Sequence, residues 1–333
     1  MEFPKTLIKR NGYIERIKPF MRKNIAKVLT GQRRVGKSFL LYQLMDQLLV
    51  EEPDANIIYI NFEDFAFSHI QTAEDMHAYI MSKFRKEKYN YIFVDEIQEI
   101  VNFERVIRSL LLNENNDIYI TGSNAKMLSG ELATYLSGRY IEFSVYSLSY
   151  LEFLAFHKLE NNNESLYLYS RYGGLPYLIN LPLKDETVNE YLKSVYSTIV
   201  FRDVVSRYNL RNSSFLEKLV QFLSENIGNL FSAKNISDYL KSQHSTISVN
   251  QIQNYTEYLN NAFLIHRVGR YDLIGKRLFE IGEKYYFENM GLRNIVIGYR
   301  ITDRAKILEN LVYSHLLYLS LIHISEPTRL DVI

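Results

Sequence analysis

No cysteine occurs anywhere in the 333 residues. Disulfides, thiolate metal sites and cysteine nucleophiles are therefore excluded. An excess of charge of one sign is missing too. The 39 Lys and Arg face 38 Asp and Glu, leaving a net charge of +1, so no global basic field announces nucleic acid, and only a local basic face remains open. The amino terminus, Met1-Glu2-Phe3-Pro4-Lys5, lacks the apolar run of a secretion signal. The longest apolar stretch, Leu311 to Ile324, is broken by Ser314, His315, Ser320 and His323. It falls short of the roughly 20 residues that cross a bilayer. No Asn-Lys-x-Asp run of the kind guanine readers use is present. The expectation is a cytoplasmic protein, not in a membrane, with room for two or three domains.

What is present starts with Gly31-Gln32-Arg33-Arg34-Val35-Gly36-Lys37-Ser38, a G-x-x-x-x-G-K-S run. An apolar stretch, Ile25 to Leu29, precedes it. Phe39 to Leu48 follows, with Leu40, Leu41, Leu44 and Leu48 on one helical face. In a strand, glycine loop, helix order, backbone N–H groups can curl around a phosphate, and the positive end of the helix faces the same anion. The expected cradle for ATP comprises Gly31, Arg33, Arg34, Val35, Gly36, Lys37, Ser38 and Phe39. Lys37 reaches the β- and γ-phosphates, and the Ser38 hydroxyl ligates Mg²⁺.

Tyr91-Ile92-Phe93-Val94-Asp95-Glu96 is a second anchor. Four apolar residues run into two acids, as in a buried parallel strand whose carboxyl end opens into a ligand crevice. Asp95 is expected to hold Mg²⁺ through its waters, and Glu96 to polarise the attacking water. A further strand, Asp117 to Gly122, ends in Ser123 and Asn124. Either is a candidate to hydrogen-bond the γ-phosphate or the water, and either is equally suited to cap a helix. Arg139 precedes a final core strand. It is a candidate to stabilise the transferring phosphate, in cis or across a subunit contact, or else an ordinary surface ion pair. The basic first 24 residues, with Arg10, Tyr13 and Arg16, read as packing on a nucleotide base or as a surface arm.

Beyond residue 146 the period turns helical. Gly173-Gly174-Leu175-Pro176 is a tight turn, with Pro176 contacting adenine or marking an interhelix corner. Residues 186 to 205 read as one amphipathic helix. From Ser213 three helices lead to a hairpin opening at Leu264, a winged helix-turn-helix order. The third helix carries Asn250, Gln251, Gln253 and Asn254 but no Lys or Arg. Amides read adenine edges, while phosphate contacts need cations, which Lys241, His244, Arg267, Arg270, Lys276 and Arg277 would supply. The partner is then DNA, or the module serves intramolecular contact or homo-oligomerisation.

Thr30 to Ser38, Phe93 to Gln98, Thr121 to Ala125, Leu136 to Arg139 and Gly173 to Pro176, with Arg270 to Asp272, Lys284 to Phe287 and Gly291 to Asn294, together resemble the prokaryotic AAA+/STAND-like P-loop ATPases. The resemblance implies an α/β fold built on a P-loop parallel sheet, followed by a helical lid and a winged helix. It implies ATP and Mg²⁺ as cofactors, and ATP hydrolysis coupled to rearrangement of lid and winged helix. The alternative is a nucleotide-gated DNA-binding or regulatory module with incidental turnover. Expected divisions are 1–145 for the ATPase core, 146–210 for the lid, 211–280 for the winged helix and 281–319 for the start of a restriction-endonuclease-like domain. Residues 320–333 read as a non-native tail. Glu309 matches that domain's first acid, yet no Glu-x-Lys follows, so no nuclease activity is expected. The apolar residues Leu308, Leu311, Val312 and Leu316 have too little chain for a domain of their own. They are expected to pack on the winged-helix region or stay exposed.

Overall fold

The computed structural model describes residues 7–125, 135, 136, 138–242, 247–269 and 282–319. It divides into two units, one of residues 1–145 with 261–263, the other of 146–260 with 264–333. The 320–333 tail and the cations His244, Arg270, Lys276 and Arg277 lie outside the described residues.

The first unit runs α1 (Asn11–Ile17), β1 (Ala26–Thr30), α2 (Lys37–Glu51), β2 (Asn56–Asn61), α3 (Ala73–Ser82), β3 (Asn90–Asp95), α4 (Phe103–Leu110), β4 (Asn116–Gly122) and β5 (Tyr140–Ser144). Its five strands are parallel, in the order β2-β3-β4-β1-β5. Every residue of β1, β3 and β4 is buried, because helices must cover both faces of a parallel sheet. Alternation splits the strands cleanly. Ala26, Val28, Ile58, Ile60, Ile92, Val94, Ile118 and Ile120 turn one way, onto Met76 and Ile80 of α3 and Phe103, Ile107 and Leu110 of α4. The chain leaves β1 for β2 at one edge and leaves β4 for β5 at the other. Diverging loops of this kind open a crevice beyond the carboxyl ends of the strands.

The amino ends of the same strands carry a closed polar network. Lys27 and Asp117, both fully buried, form an ion pair. The Lys27 ammonium also lies 4.6 Å from the Tyr119 ring centroid. Asp117 accepts from the Tyr119 hydroxyl at 2.8 Å and from the Arg22 backbone N–H at 2.7 Å. Arg22 Nε donates to the Tyr91 hydroxyl, which donates to Glu52 at 2.9 Å.

The second unit runs α5 (Tyr150–His157), α6 (Asn163–Tyr172), α7 (Asp185–Thr198), α8 (Ser213–Glu225), α9 (Ala233–Ser242), α10 (Val249–Asn261), β6 (Ile265–Val268), β7 (Lys284–Phe287), α11 (Met290–Ile297) and α12 (Arg304–Tyr318). The expected helix over 186–205 is α7 followed by eight residues of wider π pitch, Ile199–Ser206. β6 and β7 pair antiparallel. The Gly-Gly-Leu-Pro turn has a packing explanation. A Cβ on Gly173, whose φ is +73°, would meet Asn289 Oδ1 at 2.2 Å, and one on Gly174 would meet the Leu148 carbonyl at 2.4 Å. A Cβ on Gly291 would meet the Tyr172 carbonyl at 2.1 Å. The two glycine motifs thus interlock, and Asn294 donates to the Ser170 and Arg171 carbonyls beside them.

Glu309 on α12 accepts from Lys284 Nζ at 2.8 Å and from the Tyr286 hydroxyl at 2.7 Å. Of the helix's apolar residues, Ile307 is buried, whereas Leu308, Val312 and Leu316 are partly exposed. With Leu311, Leu166 and Tyr169 they line a cavity of about 370 Å³.

Candidate nucleotide site

Lys37, Ser38, Asp95, Glu96, Thr121 and Ser123 converge at the carboxyl ends of β1, β3 and β4. The loop between β1 and α2 takes its shape from two left-handed residues, Arg34 (φ +69°) and Gly36 (φ +97°). Gly31 has no room for a side chain, since a Cβ would lie 2.1 Å from the Val145 carbonyl. Lys37 is buried at the start of α2. Its ammonium donates to the Gly31 and Gln32 carbonyls at 2.9 and 3.0 Å and stands 3.9 Å from Glu96 Oε1.

Strand register sets the acids. Val94 pairs with Ile120, so Asp95 arrives level with Thr121. The Thr121 hydroxyl donates to Asp95 Oδ1 and accepts from the Glu96 backbone N–H at 3.0 Å. One hydroxyl therefore locks both acids. Glu96 sits in the left-handed region at φ +55°, which turns its side chain away from the strand direction.

The two carboxyls are tuned apart. Burial pushes Asp95 up, against hydrogen bonds from Ser38 and Thr121. Burial acts on Glu96 in the same sense, but Lys37, Gln98, Arg33 and Ser123 together outweigh it and leave this carboxyl below its ordinary range. Arg33, itself buried, pairs with Glu63 at 2.9 Å. Gln98 donates to Glu96 and, at 3.3 Å, to Ser123 Oγ.

Residues 23–154 match the family described as an AAA domain, and residues 163–303 match a domain family of unknown function. An uncharacterised protein of Haemophilus influenzae is 36% identical over 320 residues, covering 94% of this chain and 79% of its own. An uncharacterised Methanocaldococcus jannaschii protein is 30% identical, covering 88% of this chain and 66% of its own. The chain thus belongs to one family with the Haemophilus protein, and its first part carries an AAA domain. The fold agrees: a solved Walker-type ATPase of Pyrococcus abyssi, 16% identical, superposes with a TM-score of 0.58 over 87% of this chain and 96% of that one.

Within this AAA-domain protein the remaining candidates divide. Asn124 is buried beside Ser123, and the segment 126–134 that either would cap lies outside the described residues. Phe39 is 46% exposed, edge-on to Tyr42. Arg139 is not brought to the site. Its carbonyl accepts from the Ala26 N–H at 3.0 Å, which places it at the amino end of β1. A five-residue strand separates the two ends by roughly 16 Å, so the cis reading of Arg139 does not fit its own P-loop. Pro176 opens a short 3₁₀ turn in the second unit and is not grouped with the P-loop residues of the first.

Two residues near the site carried no assigned role in the sequence, Thr121 and Gln98. Arg10, read there as part of a base-packing lead-in or a surface arm, is 3% exposed, donates from Nη1 to the Val35 carbonyl at 3.1 Å and from its backbone N–H to Gln43 Oε1 at 3.0 Å. Over its described residues, 7–24, the lead-in is therefore not a surface arm: Arg10 braces the phosphate loop, and Tyr13 and Ile17 are buried.

Proposed function

We propose that this chain binds Mg·ATP on residues 31–39 and hydrolyses it, as a cytoplasmic ATPase, with Glu96 as general base. The observation that carries the reading is the convergence of the Lys37 ammonium and the Asp95 and Glu96 carboxyls on one strand-end crevice, with Glu96 held ionised. The residues suit the group. Gly31 and Gly36 leave the backbone bare where a phosphate would approach, and a serine hydroxyl beside a carboxylate is a hard oxygen set appropriate to Mg²⁺. Ser38 and Asp95 would hold the metal, which supplies charge neutralisation on the phosphates. Lys37 would exchange its two carbonyl partners for phosphate oxygens. Ser123 or Asn124 would contact the γ-phosphate or the water.

Exposed and remote from its own P-loop, Arg139 acts in this reading across a subunit contact, completing a neighbour's site in a homo-oligomer. Phosphate release measured against protein concentration tests both points. Lys37→Ala should abolish Mg·ATP binding in calorimetry while the fold survives, and Ser38→Ala should lose chiefly the Mg²⁺-dependent part. Lys37 and Arg139 variants, each inactive alone, should regain turnover when mixed. Wild-type affinity in folded Lys37→Ala would remove the assignment.

A second reading is nucleotide-gated DNA binding, favoured by the order α8, α9, α10 and then the antiparallel β6–β7 pair, as in a winged helix. Its described cations are engaged by acids: Arg267 by Glu283 at 2.5 Å, and Lys241 by Asp238 at 3.5 Å. Turnover unchanged by duplex or single-stranded DNA, with no retention of either, would leave the ATPase reading alone.

A further inference from the structure

The side chain of Gln98 has no role in the reading above, yet it sits between the base and the γ-phosphate contact. It lies in the short turn Ile97–Glu99 that follows the left-handed Glu96. A carboxylate only accepts hydrogen bonds, so the Gln98 atom facing Glu96 must be the amide nitrogen. That nitrogen has two hydrogens, one directed to Glu96 Oε2 and the other to Ser123 Oγ at 3.3 Å. With both donors committed, the amide orientation is fixed. Its carbonyl oxygen, Oε1, is then left buried with no hydrogen-bond partner among the described residues. A buried acceptor without a partner costs roughly 1–3 kcal/mol, and native structures seldom leave one without a reason.

We infer that Gln98 is the positioning residue of the hydrolytic site: its amide nitrogen aims the Glu96 carboxylate, and its carbonyl oxygen receives one hydrogen of the attacking water. This rests on the ATPase reading. In the step it serves, the water oxygen forms a bond to the γ-phosphorus and the bond from that phosphorus to the β,γ-bridging oxygen breaks. ADP leaves with the electron pair. One water proton passes to Glu96, and the other stays on the new phosphate oxygen, directed at Gln98 Oε1. Because the same nitrogen touches Ser123, the base is aimed from the residue expected to contact the γ-phosphate.

The test is a double-mutant cycle on the full chain, reading steady-state phosphate release and, separately, Mg·ATP affinity by calorimetry. Gln98→Met keeps length and removes both hydrogen-bonding atoms. It should lower kcat roughly 10- to 100-fold, the range expected when a reacting group is misplaced by about an ångström, with the affinity for Mg·ATP unchanged. Gln98→Glu keeps an acceptor oxygen but loses the donor and sets like charge against Glu96, so it should not rescue. In a Glu96→Gln background, Gln98→Met should cost clearly less than it does alone, since part of its effect passes through Glu96 and only the lost water contact remains. Three results would overturn the inference: Gln98→Met turning over like wild type, losing affinity in step with kcat, or adding its full loss to that of Glu96→Gln. Wild-type protein without turnover would instead overturn the ATPase reading, and this inference with it. The wild-type arm tells the two failures apart.

Discussion

The sheet of the first unit buries a lysine and an acid at each end, and the two pairs are built to opposite ends. At the amino end, Lys27 and Asp117 touch directly, and Tyr119, Arg22, Tyr91 and Glu52 take up the remaining donors and acceptors. At the carboxyl end, Lys37 rests on two backbone carbonyls and stays 3.9 Å from Glu96. Gln32 Oε1 and Gln98 Oε1 are buried there without partners among the described residues. The same residue types thus make a finished joint in one place and an incompletely satisfied one in the other. Satisfied polar groups hold a fold together, whereas incompletely satisfied ones keep affinity for something that arrives later.

Mutation should separate the two ends. The largest effect is expected at the carboxyl end. Glu96→Gln keeps the side chain's shape but removes the base, and turnover should fall by roughly 10²- to 10⁴-fold while Mg·ATP still binds. Near-normal phosphate release would move the role to another acid, such as Glu63 or Asp64. At the amino end the loss should appear as stability. Asp117→Ala strands the buried Lys27 ammonium and should cost roughly 3–5 kcal/mol in urea denaturation. Replacing both partners, Lys27→Met with Asp117→Asn, should restore most of it, since the amide oxygen still accepts from Tyr119 and Arg22. If that double variant folds well but loses ATP turnover, the two ends are coupled and the contrast fails.

Thr121→Val lies between these extremes. It removes the hydroxyl that locks Asp95 and Glu96, so it should cost about 1–3 kcal/mol and raise the Mg²⁺ concentration needed for half-maximal turnover. A variant that loses stability alone would demote Thr121 to a packing residue. The smallest effect belongs to Glu309, whose carboxyl is held below the ordinary range by Lys284. Its side chain is 46% exposed, so Glu309→Gln should cost less than about 1 kcal/mol. The sign follows from the lowered value: the contribution is present above the unfolded carboxylate's pKa and fades as pH falls through the folded one. Wild type and variant should therefore converge in acid, as followed by thermal melts at several pH values.

Much of the first unit was legible in the sequence because its signals are local. A glycine loop between an apolar run and an amphipathic helix, and an apolar run closing on two acids, each fit in one short window. What stayed hidden depends on register or long-range contact. Thr121 acquires its task only once β3 and β4 align Val94 with Ile120. Gly173 and Gly174 look like turn residues alone until residues 289–291 are seen against 172–174. The π segment at Ile199–Ser206 escaped because two turns of slightly wider pitch leave the apolar spacing almost unchanged. For Arg139 the sequence leaves the cis and trans readings open, because adjacency to a core strand does not say how far the residue lies from the P-loop.

The left-handed backbone at Glu96 has a consequence for selection. A non-glycine residue in that conformation costs of order 1–3 kcal/mol, and glycine would relieve it. Glu96→Gly is thus expected to raise the melting temperature while ending hydrolysis. In a library screened for heat resistance alone, position 96 would be among the first to lose its natural residue, and the survivors would be sturdier proteins that burn no fuel.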